Sequence, residues 1–311
     1  MRIFLAGASG LVGAEVARQA ASAGHVVAGL VGRWAGVIPG VTETHAVDLA
    51  DGDAANEWVR RLRPEVVINA AAISEPAACE ANPIASQALN VNFPANLAGA
   101  AEAVSARFIH ISSEQVFDGN NAPYRVDDPP SPINLYGRQK VESEQLVLAA
   151  SKNPVIVRAP LLLGNSLSGR RSVHEKLFAL WSGGVAARFY VDEFRQVCTA
   201  GNLAAALLEI AARPDLHGIF HWAGADLSSR YELGQRLAAR FGVPPGLVIP
   251  LRRAETPAVS AKRPANLALD LAPLNKEIQL KPQTLDDALQ ELVVPPNFSE
   301  WQRKIVSSSR T

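Results

Sequence analysis

The chain has 311 residues, 48% of them apolar, enough for one large or two smaller globular units with a sizeable core. Thirty lysines and arginines balance thirty aspartates and glutamates, so no overall field draws it to nucleic acid or a membrane surface. No apolar run reaches the roughly 18 residues of a membrane span, and the glycine-rich N-terminus lacks the leucine-like core of a signal peptide. The expectation is a soluble, cytoplasmic protein. Cys79 and Cys198 stand far apart in no metal-ligand spacing, which predicts two buried thiols without a disulfide. His174, His217 and His221 show no ligand grouping either, so no metal is expected.

In chain order, short apolar runs at 2–5, 25–31, 44–47, 65–69, 107–112 and 155–158 read as strands. Helix-period segments at 11–23, 53–62, 95–105 and 135–150 lie between them. This alternation predicts an α/β fold, a doubly wound parallel sheet of the Rossmann type. Beyond about residue 160 the alternation weakens in glycine, proline and arginine. A helix over 202–212 and a strand-like GIFHWAG at 218–224 return to the sheet. The predicted division is a dinucleotide-binding unit of 1–160 plus about 196–224, a smaller discontinuous substrate unit of about 161–195 and 225–290, and a tail over 291–311.

GASGLVG at 7–13 follows the first strand and opens the first helix. Gly7, Gly10 and Gly13, with Ser9, Leu11 and Val12 between them, allow a tight turn, close approach of a pyrophosphate and free helix N–H groups aimed at it. No acidic residue stands between Glu15 and Glu43 to take a ribose 2′-hydroxyl; the second strand instead runs out to Arg33, a cation suited to a 2′-phosphate. NADP(H) is therefore expected over NAD(H), which is the alternative. Asp48 and Leu49 follow the third strand as an acid-plus-apolar pair, and Ala70, Ala71 and Ala72 follow the fourth, where small side chains let a cofactor lie near the backbone.

The strand RFIHISS ends in Ser112 and Ser113, at the sheet edge where open α/β folds bind ligands. Tyr136 and Lys140 come next, four apart in LYGRQK and so on one helix face. Reduction of a ketone needs a proton at the carbonyl oxygen. A tyrosine can give it, an adjacent cation can favour the phenolate, and a serine hydroxyl can fix the carbonyl.

This order of glycine loop, strand-end serine and Y-x-x-x-K resembles the short-chain dehydrogenase/reductase superfamily. Asn92 in LNVNFPANL is similar to that superfamily's helix asparagine. ISSEQVFDG at 111–119, YRVDDPPSPINLYGRQKVESE at 124–144, VRAPLLLG at 157–164 and KRPANLALD at 262–270 resemble the dTDP-4-dehydrorhamnose reductase family of the extended branch. The resemblance implies NADPH-dependent reduction of a nucleotide-linked 4-keto-6-deoxy sugar in a cleft between two domains. Glu114 and Gln115 replace the Asp and Tyr of the reductase pattern, the tyrosine being expected near the sugar; Arg158 is a candidate for the sugar or, the favoured reading, for pairing with a nearby acid, and Arg263 for the diphosphate or for anchoring the C-terminal segment. DEFRQVCT at 192–199 departs from the reductase pattern. Those departures, with GIFHWAGADLSSRYELGQRLAARFG at 218–242, resemble the regulatory β subunit of methionine adenosyltransferase, which implies an NADP-holding interaction protein instead. A nucleotide-sugar epimerase or dehydratase is a further alternative, and a homodimer or a protein partner is compatible with each.

Overall fold

The computed structural model describes residues 1–48, 52–260 and 262–308. Its centre is a seven-stranded parallel sheet: β1 (Arg2–Ala6), β2 (Val26–Val31), β3 (Glu43–Ala46), β4 (Val66–Asn69), β5 (Arg107–Ser113), β6 (Val155–Ala159) and β7 (Gly218–His221). The spatial order is β7-β6-β5-β4-β1-β2-β3, with every neighbouring pair parallel. The doubly wound sheet expected from the alternation is what forms. The inner strands FLA, VVIN and VIVRA are buried on both faces, as strands covered by helices on either side must be.

Helices α1 (Leu11–Ser22) and α5 (Ala200–Ala211) cover one face, while α2 (Gly52–Leu62), α3 (Phe93–Ala103) and α4 (Leu135–Ala150) cover the other. Alanines at 17, 20, 204 and 206 are fully buried, and such small side chains let α1 and α5 approach closely over Ile3, Leu5 and Ile68. On the opposite face Phe4, Phe93, Leu97 and Phe108 fill the space. Helix α3 begins two residues before the sequence-based estimate because Pro94 occupies its first turn, where a missing N–H leaves no bond unmade. A π-helical turn over Ala88–Asn92 leads into it.

A separate apolar cluster gathers Val173–Ser182, Ala187–Tyr190, Arg230–Phe241 and Val248–Leu251, with the two strands pairing in parallel. Phe178 lies at its centre, 5.0 Å from the Phe241 ring and 5.9 Å from those of Phe298 and Trp301. The C-terminal segment therefore differs from the tail expected over 291–311. Leu292 is 1% exposed, and the helix Ser299–Ser308 lays Trp301 and Ile305 on the cluster. Both thiols are buried and free, and no helix among the described residues is long and apolar enough to cross a membrane. Replacing Trp301 by Ala should lower the unfolding free energy by about 1.5–3 kcal/mol in urea titration, the range for removing a largely packed aromatic ring; a frayed tail would show no change.

Candidate functional site

The loop between β1 and α1 is built by backbone crowding. Gly7 has φ +78°, and a Cβ there would stand 2.7 Å from the amide nitrogen of Ala71, so the turns after β1 and β4 touch where the strand order reverses. A Cβ at Gly13 would meet the Gly7 carbonyl at 2.2 Å, which lets the first turn of α1 sit against the loop. Gly10 caps α1 without a side chain, and the first turn holds no acid. Its N–H dipoles are left for an anion, and these residues fit the pyrophosphate of a dinucleotide. Ser9 and Val12 are buried and Leu11 half-buried. Arg33 is exposed just beyond β2, with no ion-pair partner among the described residues, and Asp48 is exposed. Leu49 lies outside the described residues. Ala71 is buried, Ala70 and Ala72 half-buried, and the Asn69 amide ties this turn down by accepting from Ala71 N–H at 3.1 Å.

Ser113 ends β5, and Tyr136 and Lys140 approach it from α4; the three are 7%, 6% and 2% exposed. Asn134 caps α4 by accepting from Gly137 N–H at 2.8 Å. The glycine after Tyr136 is required because a Cβ on Gly137 would lie 2.2 Å from the carbonyl oxygen of Gln115. The helix is thus pressed onto the chain leaving β5, which brings Tyr136 to Ser113. Burial pushes the Tyr136 hydroxyl well above its usual pKa, and a hydrogen bond with Ser113 offsets part of this. The Lys140 ammonium is 5.9 Å from the Tyr136 ring centroid and donates to Ile111 C=O at 2.9 Å. Burial also depresses Lys140, to about 8, against the pull of Glu144.

The asparagine assignment is corrected as well. Asn92 is exposed. Asn90, fully buried two residues earlier, accepts from Ile73 N–H at 2.8 Å and donates to Ile73 C=O at 3.1 Å and to Gln139 Oε1 at 2.9 Å. It therefore staples the turn after β4 to the helix that carries Tyr136 and Lys140. LNVNFP offers two asparagines, and only the π-helical turn, a feature enriched at functional sites, decides which points inward.

The substrate candidates separate. Arg158 is 2% exposed and paired bidentately with Glu144, the ion pair with a nearby acid that is the alternative to a sugar contact. Arg263 is half-exposed, bonded through two nitrogens to Glu193 at 2.8 Å and lying 5.3 Å from the centroid of the Tyr190 ring. Gln115 is half-buried, with Oε1 accepting from Asn134 at 2.8 Å. Glu114 is 2% exposed; one carboxylate oxygen meets Arg195 at 3.2 Å, and Oε2 has no hydrogen-bond partner among the described residues. Burial raises Glu114 to about 7 despite Arg195. Arg195, Glu193 and Arg230, none singled out in the sequence, complete this buried ionic cluster. DEFRQ carried a signal, since two acids and an arginine within five residues are rarely buried unless paired.

The model of the family described as RmlD substrate binding domain matches residues 1–296. The methionine adenosyltransferase 2 subunit beta of Rattus norvegicus is 30% identical over 278 residues, covering 88% of this chain and 81% of that protein. A dTDP-4-dehydrorhamnose reductase of Mycolicibacterium smegmatis is 35% identical over 252 residues, covering 80% and 72%. The crystal structure of a hypothetical dTDP-4-dehydrorhamnose reductase from Sulfolobus tokodaii superposes with a TM-score of 0.80 at 28% identity, over 94% of this chain and 100% of that one. With a match along nearly its whole length, on the extended short-chain dehydrogenase/reductase fold, the chain belongs to the RmlD substrate binding domain family.

Proposed function

We propose that the protein is an NADPH-dependent reductase of a nucleotide-linked 4-keto-6-deoxy sugar, with NADH as the alternative cofactor. The observation that carries this reading is the buried set at the end of β5: a protonated Tyr136 hydrogen-bonded to Ser113, with Lys140 one helical turn along. It lies on the same sheet edge as a glycine loop whose helix N-terminus is free for phosphate. The kinship with dTDP-4-dehydrorhamnose reductases supports the sugar class.

In this reading Gly7, Gly10 and Gly13 let the N–H groups of α1 hold the pyrophosphate, Arg33 takes the 2′-phosphate and Lys140 holds the nicotinamide ribose. A reduced nicotinamide dinucleotide, when bound, supplies the hydride that the carbonyl carbon accepts. Ser113 donates a hydrogen bond to the carbonyl oxygen and fixes it beside Tyr136. Tyr136 gives its phenolic proton to that oxygen as negative charge develops there. A phenol whose pKa is raised by burial is in the protonation state this step needs. Lys140 balances the charge left on the Tyr136 oxygen. We assign the sugar side to segments 161–195 and 225–290, with Glu114 and its unpartnered oxygen at the border.

A second reading is favoured by the 30% identity to proteins named as a β subunit: a dinucleotide-holding partner of a catalytic chain. Tyr136→Phe separates the two. NADPH oxidation with dTDP-4-keto-6-deoxy sugar should fall at least about 100-fold, as expected on losing a general acid, with the Kd for NADPH nearly unchanged. No turnover by the natural protein, with NADPH still bound, would favour the subunit reading.

The pH profile supplies another check. Lys140 loses its proton as pH rises through about 8, so kcat/KM for NADPH should fall above that value by about tenfold per pH unit. Deprotonation of Lys140 does not itself destabilise the fold. Between about 8 and the ordinary 10.5 the unfolded chain holds the lysine proton and the folded one does not, so Lys140's own contribution to stability rises across that window.

A further inference from the structure

Tyr136, Lys140 and Glu144 recur every four residues and form one stripe along α4, and all three are buried. The stripe's third member is held from two strands. Arg158 on β6 grips the Glu144 carboxylate through Nε at 3.0 Å and Nη2 at 2.8 Å, and Ser112 on β5 donates to the same Oε1. The ion pair's side chains are 2% and 4% exposed. Such a pair is a weak source of stability, because desolvation offsets most of its attraction, which leaves its place beneath the catalytic helix to be explained.

Lys140 has no carboxylate within ion-pair distance among the described residues; its one hydrogen bond is to Ile111 C=O. The titratable groups around it are Cys79 from the Pro76–Ala81 helix, His110 from β5, and Tyr136 and Glu144 from its own helix. His110 is buried and kept neutral by desolvation and by the lysine's charge, with its ring between Asn69 and the Ser143 hydroxyl. Cys79 is a buried thiol whose pKa burial raises. Glu144 is thus the anion available to a buried ammonium.

We propose that Glu144, locked in place by Arg158 and Ser112, is a positioning residue whose charge keeps Lys140 protonated in its buried seat. Arg158 holds the carboxylate in place through two hydrogen bonds, and Glu144 acts on the chemistry only through the lysine. The functional significance rests on the reading that Lys140 serves a bound nicotinamide cofactor; the electrostatic claim does not.

The test follows the Lys140 ε-carbon by 13C NMR through a pH titration, with its resonance assigned by its loss in K140R. In the natural protein the midpoint should lie near 8, and in E144Q it should fall by about one to two pH units, the size of one charge removed a helical turn away at an effective dielectric of about 20. E144Q leaves Arg158 buried and unpaired and can lose its fold. E144Q/R158M removes both charges, and its fold is checked by circular dichroism. The alkaline limb of kcat/KM for NADPH should move with the NMR midpoint. A midpoint that falls in a protein without sugar turnover upholds the inference and tells against the reductase reading. An unchanged midpoint in folded E144Q/R158M overturns the inference.

Discussion

The ammonium of Lys140 sits 2% exposed beneath the end of β5, and the proposed chemistry depends on keeping a positive charge there. Burying a lone cation is expensive enough that the group loses its proton unless neighbours favour the charged form. The neighbours here are a backbone carbonyl from β5 and an anion one turn along the helix, itself anchored on β6. The same burial acts oppositely on Tyr136 and holds its phenol neutral. One desolvated pocket thus pushes the phenol up and the ammonium down, the divergence that acid–base chemistry uses.

The geometry that makes this pocket comes from close backbone contacts. Gly137 against the Gln115 carbonyl presses α4 onto β5, and Gly7 against Ala71 presses the first loop onto the fourth. Asn90 joins the second contact to the first through Ile73 and Gln139. Side chains larger than hydrogen at these glycines would separate the cofactor loop from the acid. On the far side, the ionic cluster of Glu114, Arg195, Glu193 and Arg263 begins at the residue after Ser113, so the same strand end supports both the Ser113–Tyr136 pair and this cluster.

Features set by neighbours in sequence were legible from it. The parallel sheet follows from alternating apolar runs, the tight turn before α1 from glycines between a strand and a helix, and the Tyr136/Lys140 face from a four-residue spacing. Features set by long-range packing were not. Asn92 is the residue its motif singles out, whereas the π-helical turn leaves Asn92 exposed and buries Asn90. Arg158 can be read as a sugar ligand or as the partner of an acid, and which acid, Glu144 fourteen residues away, is set by the fold. The polar C-terminal residues hid Trp301 and Ile305, whose partners come from 173–182 and 230–241. The phenol's protonation state depends on burial that no local spacing encodes.

The most direct measurement is the fate of the transferred hydrogen. NADPH carrying deuterium at the transferable nicotinamide position is mixed with the protein and a dTDP-4-keto-6-deoxy sugar, and the product is read by mass spectrometry and proton NMR. The account predicts one deuterium on the sugar's C4 for each NADPH oxidised. An unlabelled sugar with the cofactor still reduced, or oxidation of NADPH without label at C4, would contradict it.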